Sequence, residues 1–169
     1  MATKTMSTEW SPGVQSRSGR DETEEKLFPR MRNFGKVFAR LALGAAFLSS
    51  VADRFGLWGA FGKQGVSWGD FQHFTAYTGM VNSFLPARVI PGVAWAATVA
   101  ETVLGLGLLM GIYKRYVTIG SATLLLLFAL AMTVSFGVKA AIDYSVFTAS
   151  SAAFLLFVMY GQGSNTSTR

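Results

Sequence analysis

The sequence contains no cysteine and only one histidine among its 169 residues. Without cysteine the chain cannot form a disulfide, ligate zinc or an iron–sulfur cluster through thiolates, or carry out thiol redox chemistry. The single histidine, His73, cannot supply the two axial ligands of a bis-histidine haem. No haem, iron–sulfur or zinc site is therefore evident, and we predict no metal site.

Charged residues are also scarce, at 14% of the chain, whereas hydrophobic residues make up 51% and the mean hydropathy is +0.37. This is more apolar surface than one small water-soluble core needs, and the apolar residues occur in long blocks. The composition predicts an all-α, polytopic membrane protein. The net charge is +6, and the basic residues lie mainly in the N-terminal tail and at helix ends. Membrane topology explains that placement, so we expect no nucleic-acid partner.

The apolar blocks predict one transmembrane domain over residues 36–161, because about 20 apolar residues suffice to cross a bilayer. This domain is predicted to be a bundle of four transmembrane helices, at about residues 37–55, 89–112, 117–136 and 143–160. Residues 1–35 are polar and mixed in charge, which predicts a disordered tail. Residues 162–169 form a polar C-terminal tail.

Basic residues mark the side of the membrane on which each loop lies. Those flanking the first helix and filling the loop between the second and third helices are Lys26, Arg30, Arg32, Lys36, Lys114 and Arg115. The positive-inside rule therefore predicts that both termini, including the N-terminal tail, are cytoplasmic.

The segment between the first two blocks is rich in glycine and aromatic residues, which suits the membrane interface. We predict a short amphipathic helix there, from about Ser67 to Val81. Ser67 is a candidate N-cap, with Asp70 near the positive end of the helix. Two interpretations stay open for this helix, a lid over a lipid-accessible pocket and an interfacial anchor.

Glu101 lies near the middle of the second block, where a charge is costly unless it has a partner, a proton or a wet cavity. Arg40 is one candidate partner, with a side chain that either reaches Glu101 through the bundle or extends to the headgroups at the inner face. The candidate hydrogen-bonding groups for Glu101 are Thr98, Thr102, Ser49 and Ser50.

The remaining polar residues of the domain are predicted at the outer mouth of the bundle. Together with Glu101 and Arg40, the candidates for ligand binding or proton relay are Asp53, Arg54, His73, Lys139 and Asp143. Lys139 and Asp143 are four residues apart and are predicted to pair as helical neighbours. A mid-membrane carboxyl with these groups suits a quinone headgroup and its protons. A buried carboxyl that only sets the helix register is the alternative, and no catalytic residue is assigned.

Several stretches of the chain, over roughly residues 36–158, resemble the DoxX family of bacterial four-helix membrane proteins. They include ARLALGAAFLSSVADRFGLWG, VSWGDFQHFTAYT, NSFLPARVIPGVAWAATVAETVLGLGLLMGIYKR and LLLLFALAMTVSFGVKAAIDYSVFTASSAAFLL. Arg40, Asp53, Glu101 and the Asp143-Tyr144-Ser145 turn look like the recurrent polar positions of the family. That family is similar to the DoxD-type subunit of thiosulfate:quinone oxidoreductase. The resemblance implies a quinone-linked setting in the bacterial inner membrane.

Three functions follow as hypotheses. The first is a membrane subunit of a quinone-linked oxidoreductase that binds quinone, anchors a peripheral or soluble redox protein, or does both. The second is a non-catalytic scaffold or assembly factor, and the third, weaker one is a transporter of small molecules or lipids. Gly107 and Gly111 form a small-xxx-small pair that suits either packing within one bundle, which the sequence favours, or a homo-oligomer.

Overall fold

The structure, a computed structural model, describes the backbone of residues 14–161 and the side chains of residues 27–161. Within those residues it contains helices and no strand. The helices are α1 (Val14–Arg54), α2 (Phe71–Val81), α3 (Ile90–Met110), α4 (Lys114–Phe136), α5 (Val138–Asp143) and α6 (Val146–Gly161), with a 3₁₀ turn (Ala87–Val89) before α3. The predictions for residues 1–13 and 162–169 lie outside the described residues.

Helix α1 begins at Val14, well before the predicted start near residue 37. The chain divides into two units after Gly35, and residues 14–35 of the first unit are helical, where we predicted a tail without a fold. That prediction followed from the few large apolar residues in this stretch. It overlooked the intrinsic helix propensity of glutamate, lysine and arginine, which does not depend on a buried face.

Within the described residues, three helical segments are long and apolar enough to cross a membrane: Leu27–Arg54, Ala87–Met110 and Lys114–Phe136. Helix α6 is apolar as well, but it has 16 residues. At a rise of 1.5 Å per residue it measures about 24 Å, less than the roughly 30 Å of a hydrocarbon core. The structure therefore supports a helical, multi-pass membrane protein with three spanning segments.

Helices α1 and α3 approach each other closely through glycines. A Cβ atom added to Gly44 would lie 2.9 Å from Leu109 Cδ2 and 3.1 Å from the backbone oxygen of Gly105. A Cβ atom at Gly105 would lie 3.0 Å from Leu48 Cδ2. Small residues at these positions let the two backbones come together, as in other membrane helix pairs. This contact sets the register of α1 against α3.

A tight turn joins α3 to α4. Gly111 ends α3 in the left-handed conformation (φ 68°), which glycine adopts without steric cost. Gly107, one turn earlier, packs against Val117 of α4, since an added Cβ atom would lie 2.9 Å from Val117 Cγ2. The Gly107 and Gly111 pair is therefore occupied by contacts within the chain.

The segment between α1 and α3 contains helix α2, which is shorter than predicted. Its N-cap is Asp70, whose side chain accepts a hydrogen bond from the His73 backbone N–H. Ser67 is not the cap, because the cap position lies three residues later, directly before Phe71; the Ser67 backbone N–H donates to the Asp53 carboxylate. Helix α2 packs against α3 and α4. The helix for which we considered a lid or an interfacial anchor thus packs against two other helices of the chain.

Candidate functional site

The centre of the candidate site is an ion pair between Arg54, at the end of α1, and Glu101, in the middle of α3. Arg54 Nη2 donates to both carboxylate oxygens of Glu101, at 2.7 Å to Oε1 and 2.6 Å to Oε2. Both residues are only 2% exposed. The partner that burial of Glu101 requires is therefore Arg54, and of the two positions left open for the Arg40 side chain, the one that reaches Glu101 is not adopted.

The guanidinium of Arg54 is held by both of the helices that it joins. Its Nη1 donates to Thr98 Oγ1 at 2.8 Å, and its Nη2 to Ser50 Oγ at 3.2 Å. The central guanidinium carbon, Arg54 Cζ, lies 3.7 Å from the ring centroid of Phe74, which is a cation–π contact with α2. Ser50 thus contacts both members of the ion pair, as predicted for Glu101, whereas Thr98, which we also predicted as a partner of Glu101, binds the cation.

One donor of the same guanidinium remains unused, since Arg54 Nε is buried without a hydrogen-bond partner. Asp53, the preceding residue, is also buried and fastens the chain ahead of α2. Its Oδ2 accepts the backbone N–H groups of Ser67 and Trp68, at 2.8 and 3.1 Å, and its Oδ1 has no partner. These contacts place the indole of Trp68 at the site.

A cavity of about 360 Å³ opens beside this ion pair. Its wall includes residues from α1, α2, α3, α4 and α6 and is mostly apolar; Ala97, Phe128 and Met132 are examples. Ligand sites in proteins are typically concave, roughly 300–1,000 Å³ in volume and largely apolar, with a few polar groups that orient the ligand. The cavity has this character.

The polar groups of the cavity wall include the two ends of the ion pair and two phenols. Arg54, Glu101, Tyr77 and Tyr144 all line it. Burial raises the pKa of the Tyr77 phenol above its usual value, and the nearby Tyr144 raises it further. Tyr77 is therefore a neutral phenol at physiological pH and can donate a hydrogen bond to a carbonyl oxygen.

The other predicted site residues have partners of their own. Arg40 lies against Gly111 at the end of α3, about ten residues along the helix from Glu101, which corresponds to roughly 15 Å. His73 Nδ1 lies 2.8 Å from Asp70 Oδ2, and its ring stacks on Phe61. Lys139 and Asp143 pair on α5, as their spacing predicted, and both are exposed. These residues are not among those that line the cavity.

Sequence reasoning expected aromatic residues near the mouth of the bundle to stack on a quinone ring, but it did not single out Trp68, Phe74 and Tyr77 among them. It also placed Arg54 at the outer mouth. A local signal for Arg54 was present, because Ser50 and Arg54 are four residues apart and therefore share a face of α1. The spacing alone does not identify the helix against which this face of α1 packs.

The Asp70 cap predicts a pH dependence of α2. The backbone N–H of His73, and then its ring, lower the pKa of the Asp70 carboxyl below its usual value. A carboxyl with a lowered pKa stabilises the fold above its unfolded pKa, about 3.9, and this contribution disappears as the pH falls through the folded pKa. We expect hydrogen-exchange protection factors of α2 to fall in acid below about pH 4.

The Asp70→Asn variant is the control for this prediction, because asparagine still caps a helix but does not titrate. Its α2 should keep the same protection factors through the acid range. Equal losses of protection in the variant and the wild type would show that another group is responsible.

Comparison of the chain with family models, with curated proteins and with solved structures found no match.

Proposed function

We propose that this chain is the integral membrane subunit of a quinone-linked oxidoreductase in the bacterial inner membrane. In this proposal the cavity beside Arg54 and Glu101 binds a quinone headgroup, and a peripheral or soluble redox protein supplies the electrons. The observation that carries the proposal is the cavity itself, a largely apolar space with a buried ion pair in its wall. The resemblance to the DoxX family points to the same class of function.

The proposed topology is a four-helix bundle with both termini in the cytoplasm. Helix α6 supplies the fourth crossing, with its short length accommodated by local thinning of the bilayer. The aromatic segment around α2 then lies at the outer interface, where its rings suit the headgroup region. In that position α2 closes the outer end of the cavity.

The residues of the cavity fit a quinone in both shape and chemistry. Trp68 and Phe74 contact each other with ring centroids 5.1 Å apart and offer aromatic surface to a flat ring. The Tyr77 phenol, which lines the cavity, is a donor available for a quinone carbonyl oxygen. The apolar remainder of the wall suits an isoprenoid tail.

A bound quinone would accept two electrons from the partner protein and take up two protons on reduction to the quinol. The role of this chain in that step is to hold the ring and to bring protons to its carbonyl oxygens. Glu101 is the group in the cavity wall that can exchange a proton, with Arg54 orienting its carboxylate. Tyr77 is a second donor at the same cavity.

The ion pair also favours a second candidate function, a scaffold or assembly factor. Both oxygens of Glu101 already accept from Arg54, so the pair ties α1 to α3 without any ligand. Buried polar pairs of this kind can set helix register. In that case the bundle would present a surface to partner proteins, and the cavity would hold no specific cofactor.

Mass spectrometry of lipids that co-purify with the protein in mild detergent tests the proposal. We expect close to one quinone per chain in the wild type and in Lys139→Gln, which removes only the exposed pair on α5. Glu101→Gln should lose most of this quinone while remaining folded by circular dichroism. Absence of quinone from folded wild-type protein would favour the scaffold function instead.

A further inference from the structure

Four cations form a cluster where the middle of α1 meets the start of α4 and the end of α6: Lys36, Arg40, Lys114 and Arg115. Lys36 Nζ lies 5.3 Å and Lys114 Nζ 5.8 Å from the centroid of the same Tyr160 ring. The guanidinium of Arg115 lies 5.4 Å from the ring centroid of Phe157, one turn earlier on α6. Cations from two helices are thus gathered around two rings of a third.

We call these four residues the basic end cluster. Within it, Arg40 lies between Lys36 on α1 and the turn that leads to Lys114. It follows Lys36 by four residues on α1, so the two side chains share a face of the helix. Its guanidinium lies against Gly111, in the turn that leads to Lys114, and a Cβ atom at Gly111 would collide with Arg40 Nη1. Arg40 Nε is buried without a hydrogen-bond partner. The cluster therefore contains four cations and one buried donor without a hydrogen-bond partner.

Acidic side chains do not neutralise the cluster within the part of the chain whose side chains are described. Residues 27–161 contain four carboxylates, Asp53, Asp70, Glu101 and Asp143. Their hydrogen-bond partners are, in order, the backbone of Ser67 and Trp68, His73, Arg54 and Lys139. Like charges held close together favour a bound anion.

We propose that the basic end cluster binds the phosphate-bearing headgroup of an anionic phospholipid. Basic pockets between membrane helices are known to recognise such headgroups, and each nearby lysine or arginine adds to the attraction. The surroundings suit a lipid better than a free anion, because exposed apolar side chains of the same helix ends, Met110 and Ile112 at 61% and 48%, offer surface to acyl chains. This site is separate from the cavity and does not depend on quinone binding.

Native mass spectrometry of the full chain in detergent tests this site, with phosphatidylglycerol and phosphatidylcholine as probes at equal concentrations. We expect tighter binding of phosphatidylglycerol. The Lys36→Gln, Lys114→Gln double variant should bind it roughly 25-fold more weakly, since each cation contributes about fivefold. These two lysines are chosen because neither is buried, so the fold should tolerate the change.

The matched control is Lys63→Gln with Arg88→Gln, which removes two exposed cations from the segment between α1 and α3. It should bind phosphatidylglycerol as the wild type does. If the control lost as much affinity for phosphatidylglycerol as the double lysine variant, the loss would be an effect of net charge, and the proposed site would be wrong. Equal binding of both lipids, or displacement of phosphatidylglycerol by the same concentration of inorganic phosphate, would also overturn it.

Discussion

The Glu101→Ala variant is expected to lower the free energy of unfolding by about 3–5 kcal/mol, the cost of leaving one buried ion without its partner. Arg54 would remain 2% exposed and keep only Thr98 and Ser50 as hydrogen-bond acceptors. Neither acceptor carries a charge, so the guanidinium would be uncompensated. Unfolding in mixed micelles, followed by far-ultraviolet circular dichroism as the fraction of dodecyl sulfate rises, measures the loss.

Two further variants test whether the ion pair itself is responsible. Lys139→Ala breaks the exposed pair on α5, whose side chains are 85% and 56% exposed, and should cost less than about 1 kcal/mol. Replacing both members of the buried pair, by Arg54→Met with Glu101→Leu, should restore much of the stability because no buried charge remains. A Glu101→Ala variant no less stable than Lys139→Ala would contradict the assignment.

The Ala97→Phe variant is expected to weaken binding of a short-chain quinone such as decylubiquinone by roughly tenfold or more. Ala97 is 9% exposed and lines the cavity, so the larger side chain would occupy the volume that the ring needs. Overpacking of a filled site costs about 1–3 kcal/mol, which corresponds to a loss of roughly 5- to 150-fold. Quenching of tryptophan fluorescence on titration with the quinone reports binding, since Trp68 lines the same cavity.

Val99→Phe is the control for this experiment. Val99 lies on the same helix, two residues away, but is 57% exposed and is not part of the cavity wall. It should bind the quinone as the wild type does, while Trp68→Phe should lose most of the quenching signal. Wild-type affinity in Ala97→Phe would show that the quinone binds elsewhere.

Much of the candidate site follows from residue chemistry alone. A charge in the middle of a long apolar block is costly, so the sequence predicted that Glu101 would have a partner, a proton or a wet cavity. The pairing of Lys139 with Asp143 followed from their spacing on one helix. Both inferences rest on local geometry or on a transfer free energy, and neither needs knowledge of how the helices pack.

The identity of the partner of Glu101 did not follow from the sequence. Arg40 and Arg54 lie on the same helix, and the choice between them depends on the register of α1 against α3. That register is set where Gly44 meets Gly105. About 60 residues of chain separate these two glycines. The periodicity within either helix therefore does not reveal the register between α1 and α3.

The start of α2 shows the same limit at a smaller scale. Ser67 and Asp70 are both good N-cap residues, and the sequence predicted the first of them. The structure begins α2 at Phe71 with Asp70 as its cap, and the Ser67 backbone N–H donates instead to Asp53 at the end of α1. The capping preference of the two residues does not distinguish between these two starts.

The sequence by itself determined that this protein is helical and membrane-embedded, since length and apolarity of a segment are enough to define a spanning helix. It also determined that thiol and bis-histidine chemistry are absent, because the residues themselves are missing. Only the tertiary structure decided which arginine meets Glu101, which aromatic rings surround it and that a cavity opens beside the pair. Those features arise from the spacing and register of separate helices, and such long-range packing is a property of the assembled bundle.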